Sequence, residues 1–103
     1  MSAVDEIAGA LREKYLKVLE ELDNKIGIET AVKREAVRRI DILAIKRTTF
    51  VDNLNAVVGA VVYGVENERG MPSRSKQIAH ALDLMEMSVT ETSRRQAIHF
   101  RRN

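Results

Sequence analysis

Few side chains in this sequence combine the type and the spacing that catalysis or metal binding requires. The chain has no cysteine, which excludes thiol catalysis and thiolate metal sites. His80 and His99 have no third ligand at metal spacing, and no glycine-rich loop followed by Lys-Ser or Lys-Thr is present. Glu20 and Glu21 fall on the water-facing side of a predicted helix, away from any acid–base partner. We therefore expect a protein without enzymatic activity, metal or cofactor.

The remaining chemistry is cationic and is concentrated in the last third of the chain. Residues 1–68 hold 10 basic and 12 acidic side chains and residues 69–103 hold 7 and 3, which gives net charges of −2 and +4. This asymmetry is typical of a basic end that contacts nucleic acid, although a solvated basic tail has the same composition. Arginine and lysine bind phosphate by charge and hydrogen bonds. The candidates for such contacts are Arg74, Lys76, Arg94, Arg95, Arg101 and Arg102.

Length and composition predict one small domain with an aliphatic core. Of the 103 residues, 45% are hydrophobic and only 4% are aromatic. A chain of this size buries little surface by itself, so we expect it to complete its core by pairing with a copy of itself. It has no signal-peptide pattern and no apolar run of the roughly 18 residues that a spanning helix needs. We expect a soluble, unprocessed cytoplasmic protein of bacterial, archaeal or viral origin.

Apolar spacing predicts that the chain begins with a helical hairpin. Apolar residues recur from Val4 to Leu22 in steps of four and three, which is the period of a coiled-coil seam. Gly27 supplies a left-handed residue to end this helix, and a second helix restarts near residues 28–30. Because the turn is short, the two helices should be antiparallel. The seam residues expected to contact a second copy are Leu11, Tyr15, Val18 and Leu22.

The longest apolar stripe, in residues 28–68, has three interpretations. Its spacing is mostly helical. Thr48 and Thr49 are poor helix-interior residues, and Thr49 with Asp52 resembles a capping box, so the stripe forms either two helices, at about 30–47 and 50–68, or one bent rod. The β-branched residues between Ile40 and Val65 would instead allow a β-hairpin, although a solitary two-stranded sheet is rarely stable. We favour the helical interpretations.

Small residues align on one face of the helix predicted near the end of this stripe. Ala56, Ala60 and Gly64 stand four apart, a spacing that lets another helix approach closely. That helix belongs either to the same chain, as in an ordinary core, or to a second copy. We include these three residues in the expected oligomer interface.

Gly70 and Pro72 mark the clearest boundary in the chain. They end the preceding element and divide the sequence into a helical hairpin and oligomerisation region, residues 1–69, and a basic C-terminal helical module, residues 70–103. The module is expected to begin with a short amphipathic helix over residues 75–84. Ser88 and Glu91 have the spacing of a capping box, which predicts a last helix over about residues 89–100.

Residues 75–96 have the apolar spacing of a two-helix motif. Ile78 and Ala79 are followed by Leu82, Leu84 and Val89. This pattern resembles the helix-turn-helix of response regulators and sigma factors, in which the alanine lets the second helix cross close to the first. Asp83 stands where that family usually has a turn glycine, and Thr92 where another apolar contact is expected. The resemblance implies groove or phosphate contacts from Thr90, Glu91, Ser93, Arg94 and Arg95.

These patterns together predict an all-α protein: a helical hairpin with a long or broken second helix, followed by short C-terminal helices, in an oligomeric bundle. The function we expect is that of a small oligomeric nucleic-acid-binding protein, a transcriptional regulator or accessory factor, whose partners are DNA and its own copies. The alternative is a non-enzymatic structural or adaptor protein, such as a phage assembly component or a secretion-associated subunit. In that case the first-helix seam and the small-residue face would contact a protein partner.

Overall fold

Five α-helices and one 3₁₀ helix form the part of the chain that the structure describes, residues 3–46 and 53–100 of a computed structural model. The α-helices are α1 (Ala3–Ile26), α2 (Thr30–Lys46), α3 (Leu54–Glu68), α4 (Ser75–Ala81) and α5 (Glu86–Gln96), and the 3₁₀ helix spans Ala97–Phe100. No strand occurs within these two ranges. The all-α prediction is therefore confirmed, and the β-hairpin interpretation is wrong for the described residues between Ile40 and Val65.

The apolar stripe forms two helices that lie side by side. Nη1 of Arg39 in α2 is 2.6 Å from Oε2 of Glu68 in α3, whereas one continuous helix would separate these residues by about 40 Å. Asn53 caps α3, because its side-chain oxygen accepts from the amides of Asn55 and Ala56 at 3.0 and 3.2 Å. The capping box expected from Thr49 and Asp52 lies outside the described residues.

The junction between α1 and α2 is held by one glycine and one aspartate. Gly27 has a φ of 72°, the left-handed conformation that the sequence predicts. One carboxylate oxygen of Asp23 accepts from the amide of Ile28 at 2.7 Å, and the other accepts from Nζ of Lys33 at 2.8 Å. The Lys33 bond, followed by the Ile28 bond, lowers the pKa of Asp23. Further along the two helices, Arg12 pairs with Asp41.

The core is aliphatic and is centred on α3, which packs against each of the other four α-helices. Valines dominate its buried surface, and the residues of the other helices meet them there. The fully buried side chains include Tyr15, Leu19, Leu22, Val32, Ile40, Leu43, Val57, Val58, Val61, Val62 and Ile78. As the low aromatic content predicts, the core consists mainly of branched aliphatic side chains. Small differences in the volumes of these side chains decide how closely the helices approach.

The residues predicted to contact a second copy are mostly covered by the chain itself. Among the described residues, Tyr15, Val18, Leu22, Ala56 and Ala60 are buried, while Leu11 is partly buried against the same core. These positions no longer need a second copy to cover their apolar surface, because α2, α3 and α5 of the same chain already pack around them. Self-association stays a prediction, and it requires other residues.

The small-residue face of α3 accommodates α5 of the same chain. A Cβ atom placed on Gly64 would lie 2.9 Å from Oγ of Ser93 in α5. A Cβ on Gly59 would lie 3.1 Å from side-chain atoms of both Ile78 and Leu82. A larger residue at either position would therefore require the neighbouring side chains to move. This glycine- and alanine-rich face thus provides close packing within an ordinary core.

The turn between α4 and α5 is tight, and α5 begins earlier in the chain than the sequence predicts. Asp83 adopts a φ of 55°, and the amide of Leu84 donates to the carbonyl of Ala79 at 2.8 Å. α5 begins at Glu86 with Met85 as its N-cap residue, so the predicted start at Ser88 is wrong. Oγ of Ser75 donates to Glu86 at 2.6 Å, which fixes the start of α5 against the start of α4. α4 ends at Ala81, before residue 84, and α5 gives way to the 3₁₀ helix after Gln96.

Candidate nucleic-acid interface

α3, α4 and α5 form a three-helix unit whose apolar contacts meet at one glycine. Ile78 and Leu82 are buried beside Gly59, and Val89 of α5 reaches the same point, 3.7 Å from a Cβ built there. Ala79 is also buried, as the helix-turn-helix resemblance implies for a residue between crossing helices. The turn between α4 and α5 comprises only Leu82 to Met85, so these contacts lie close to the start of α5 and help to position it.

α5 has one face against α3 and one face exposed. Val89 and Gln96 are buried, and Nε2 of Gln96 donates to the carbonyl of Val57 at 3.2 Å. These two residues are seven apart and therefore lie on the same side of the helix. The opposite side carries Met87, Glu91 and Arg94, and Ile98 of the following 3₁₀ helix is also exposed; Met87 is 66% and Ile98 67% exposed. We call these four residues the outer stripe.

An ion pair occupies the middle of the outer stripe. Nη2 of Arg94 donates to Oε2 of Glu91 at 2.6 Å, one turn earlier in α5. This hydrogen bond and the accompanying charge attraction lower the pKa of Glu91 and raise the pKa of Arg94. The side chains remain 48% and 76% exposed, respectively, so both groups are accessible to a large partner. Arg94 is thus accessible, but part of its hydrogen-bonding capacity is used by Glu91.

The other predicted cations differ in what surrounds them. Arg95 is exposed beside the outer stripe, where its Nη2 lies 3.4 Å from Oγ1 of Thr92. Lys76 is exposed in the first turn of α4. Arg101 and Arg102 lie outside the described residues. Arg95 and Lys76 therefore retain the exposure that a phosphate contact needs.

Arg74 is engaged within the protein. Its guanidinium donates to both carboxylate oxygens of Glu66, at 3.2 and 2.6 Å, and Glu66 is only 2% exposed. It also donates to the carbonyls of Ile26 and Gly27, at 3.2 and 2.9 Å. Arg74 therefore joins the end of α1 to the end of α3. A phosphate contact would require Arg74 to give up these bonds, and we do not include it in the candidate interface.

Thr90 and Ser93 lie away from the outer stripe. Oγ1 of Thr90 donates to the carbonyl of Met87 at 3.3 Å, and Ser93 faces Gly64 of α3. Both line a groove of about 490 Å³ between α3, α5 and the 3₁₀ helix, together with Tyr63 and Phe100. Among the motif-derived residues, Glu91, Arg94 and Arg95 are exposed and Thr90 and Ser93 are half-buried; Arg94 also lines the groove.

A buried arginine, Arg39, holds the segment after α5 against the core. Arg39 is 9% exposed and contacts Glu35 at 2.8 Å and Glu68 at 2.6 Å. Its guanidinium carbon lies 4.7 Å from the ring centroid of Phe100, a cation–π distance. Arg38 and then Arg39 lower the pKa of Glu35 to about 2, although burial opposes the shift. The spacing of Glu35 and Arg39 was visible in the sequence, but the contacts to Glu68 and Phe100 arise only in the fold.

Comparisons with known proteins identify no relative of this chain. No family model, no curated protein and no solved structure matches it. In residues 3–46 and 53–100, no group of three or more histidine, aspartate or glutamate side chains is placed to hold a metal ion. None of the described helices combines the length and apolarity needed to cross a membrane.

Proposed function

We propose that this protein binds duplex DNA through α5, as a non-enzymatic cytoplasmic regulator or accessory factor. The observation that carries the proposal is the pairing of α4 with α5 through a turn of a few residues, with Asp83 left-handed and the outer stripe of α5 exposed. In a helix-turn-helix, the second helix enters the major groove while the first lies near the backbone. α5 has the exposure and the supporting contacts for that role.

The exposed charges support phosphate binding around α5. Arg95 and Lys76 lie on the two helices of the motif, and Arg94 lies within the outer stripe. Residues 69–103 carry a net charge of +4, including Arg101 and Arg102. Phosphate contacts of this kind supply affinity that falls with salt, because each one releases condensed counterions. We assign Lys76, Arg94 and Arg95 to phosphate contacts.

Self-association is part of the proposal. Readers of this type commonly bind as dimers, with half-sites separated by about one helical turn of DNA. We propose that the hairpin of α1 and α2 is the oligomerisation arm, as the sequence predicts. The exposed apolar residues of these two helices, Ile7 and Ile45, are 48% and 67% exposed and replace the buried seam as the contact positions. Light scattering of the eluted protein would give a dimer mass if this is correct.

An anisotropy titration with a random-sequence duplex at about 50 and about 200 mM salt tests the DNA-binding proposal. We expect binding that weakens at the higher salt. Arg95→Ala should reduce the slope of log affinity against log salt by about 0.9, because one phosphate contact is lost. Lys17→Ala, which removes an exposed cation from α1, is the matched control and should leave the slope unchanged. No binding at low salt, or identical slopes for the two variants, would contradict the proposal.

A second candidate is a protein-binding adaptor, such as an assembly or secretion-associated subunit. It is favoured by the exposed apolar side chains around both ends of α5: Met85, Met87 and Ile98 are 73%, 66% and 67% exposed. Methionine suits adaptable protein contacts because it is flexible and polarisable. Absence of DNA binding in the titration above, together with a loss of partner binding in Met87→Ala, would favour this candidate.

A further inference from the structure

Glu91 is an unexpected residue on a helix proposed to approach DNA. It lies in the second turn of α5, in the middle of the outer stripe, with its side chain 48% exposed. A carboxylate is repelled by phosphate and accepts hydrogen bonds without donating any. Its place on the exposed side therefore lowers affinity for the DNA backbone. A group that opposes backbone binding is useful where it selects among sequences.

We infer that Glu91 is the specificity-determining residue of α5, accepting a hydrogen bond from the exocyclic amino group of cytosine. The inference rests on the proposed function. In the major groove, that amino group is a donor from which glutamate can accept, whereas guanine and thymine offer acceptors and adenine has its N7 acceptor beside its amino group. Glu91 is the sixth of the eleven residues of α5 and lies on the side opposite the buried Val89 and Gln96, which is the side that would face a groove.

The pair with Arg94 gives Glu91 a second effect on selectivity. Arg94 donates to Glu91 at 2.6 Å, so the negative charge of Glu91 is partly neutralised in the DNA-free protein. On an arbitrary sequence, Arg94 must leave Glu91 to bind a phosphate, which makes unspecific binding weaker. On a site with cytosine at the right position, the amino group and Arg94 both donate to the same carboxylate, which has several acceptor positions. The bound arrangement then keeps the pair instead of breaking it.

Met87 is the apolar neighbour of Glu91 in the proposed contact with cytosine. It precedes Glu91 by four residues on the outer stripe and is 66% exposed. An apolar side chain in the major groove contacts the thymine methyl group and offers nothing to a polar base edge. The outer stripe thus presents an apolar group followed by an acceptor, which suits thymine followed by cytosine more than purine edges.

Glu91→Gln tests the inference with little change in shape. Glutamine pairs with adenine, so sites selected from a random duplex library by the variant should lose their cytosine preference at one position and gain adenine there. The preference for cytosine over the other bases at this position, measured for the native protein, should fall by about fivefold or more in the variant. Because Arg94 no longer has to leave a carboxylate before it binds a phosphate, the affinity for random duplex should rise by more than it does in a charge-matched variant elsewhere, while the salt slope stays unchanged. Glu13→Gln on α1 is the matched control for charge.

The outcomes separate this inference from the proposed function. If the native protein does not bind duplex DNA at low salt, both are overturned. If it binds but Glu91→Gln selects the same sites with the same affinity for random duplex, only the role of Glu91 is overturned. A gain in affinity equal to that of Glu13→Gln, without a change in selected sequence, would identify a general charge effect and would also overturn it.

Discussion

The helices α1 to α3 and the helix α5 use apolar residues in different ways. In α1 to α3, the apolar rows meet each other and the described valines of α3 are buried; the exposed Ile7 and Ile45 lie near the ends of α1 and α2. In α5, one face packs on α3 while Met87 is exposed on the opposite side, and Ile98 is exposed in the following 3₁₀ helix. A helix of a small domain gains stability from one covered face alone. The exposed side of α5 differs from the covered rows of α1 to α3 because it places an ion pair, Glu91 with Arg94, next to an exposed apolar residue.

The arginines follow the same division. Arg39 and Arg74 are surrounded by carboxylates and backbone carbonyls and connect helices of the core. Arg94 and Arg95 stay exposed on α5, with bonds only to neighbours three residues away. Four residues of the same chemical type thus lie in two different environments. The surroundings of each guanidinium, more than its presence in a basic segment, distinguish a structural cation from a candidate binding cation.

The largest expected effect comes from removing a structural arginine. Arg74→Ala leaves the buried Glu66 without its partner and two carbonyls without a donor, and should lower the free energy of unfolding by about 3–5 kcal/mol. Arg94→Ala removes an exposed arginine and should leave the unfolding midpoint unchanged. Urea unfolding followed by circular dichroism measures both.

Arg74→Lys is the control for charge. It keeps a cation but loses the two-pronged contact to Glu66, so its stability should fall between those of the native protein and Arg74→Ala. Equal unfolding midpoints for Arg74→Ala and Arg94→Ala would contradict the distinction between structural and exposed arginines. Because small domains have a total stability of about 5–15 kcal/mol, the predicted difference is easily measured.

Local sequence rules predicted helix positions well where the signal was local. The four–three spacing and Gly27 gave the end of α1, and Asp83 in the place of a turn glycine is left-handed in the structure. The start of α5 was predicted incorrectly, because the capping rule favoured Ser88. The bond from Ser75 to Glu86 instead stabilises a start at Glu86, and its partners lie on two different helices. A rule that considers one helix cannot include such a contact.

The partners of apolar and charged groups could not be predicted from spacing. Periodicity identifies the face of a helix that must be covered, but a second copy and another helix of the same chain satisfy it equally well. The small-residue face of α3 was consequently assigned to an oligomer and instead accommodates α5. Arg74 donates to a carbonyl 48 residues away, which no local pattern contains. Its position in the basic segment suggested phosphate binding, whereas the fold placed Glu66 beside it.

Acid should affect the two regions differently, although each has a glutamate followed three residues later by arginine. Folding lowers the pKa of Glu35 from 4.5 to about 2, chiefly through the hydrogen bond from Arg38. The folded state therefore favours the carboxylate. The resulting stability is present above about pH 4.5 and is lost as the pH falls toward about 2. Between about pH 6 and about pH 2.5, the native protein should lose about 1–2 kcal/mol more than Glu35→Gln.

The corresponding variant in α5 is Glu91→Gln. Glu91 is an exposed member of its pair, and its lowered pKa depends on Arg94 alone among the nearby hydrogen-bond donors. Its urea unfolding midpoint should follow that of the native protein at both pH values, because solvent screens an exposed pair. An equal loss of acid sensitivity in the two variants would show that burial of Arg39 adds nothing to the Glu35 pair, and the comparison of the regions would fail.

The smallest expected effect concerns two left-handed residues, one in each region. Gly27 ends α1 with a φ of 72°, and Asp83 lies in the turn before α5 with a φ of 55°. Gly27→Ala should lower the free energy of unfolding by about 1 kcal/mol, because a Cβ atom disfavours this conformation. Asp83→Gly should raise it by about 0.5 kcal/mol for the same reason, reduced by the greater freedom of glycine in the unfolded chain.

Hydrogen exchange of the Leu84 amide, which donates to Ala79 across the turn, distinguishes the two variants. It should slow in Asp83→Gly and stay unchanged relative to global stability in Gly27→Ala. Faster exchange at Leu84 in Asp83→Gly would mean that the aspartate side chain stabilises the turn by more than its backbone conformation costs, and the position of α5 would then depend on that side chain as well as on the contacts at Gly59.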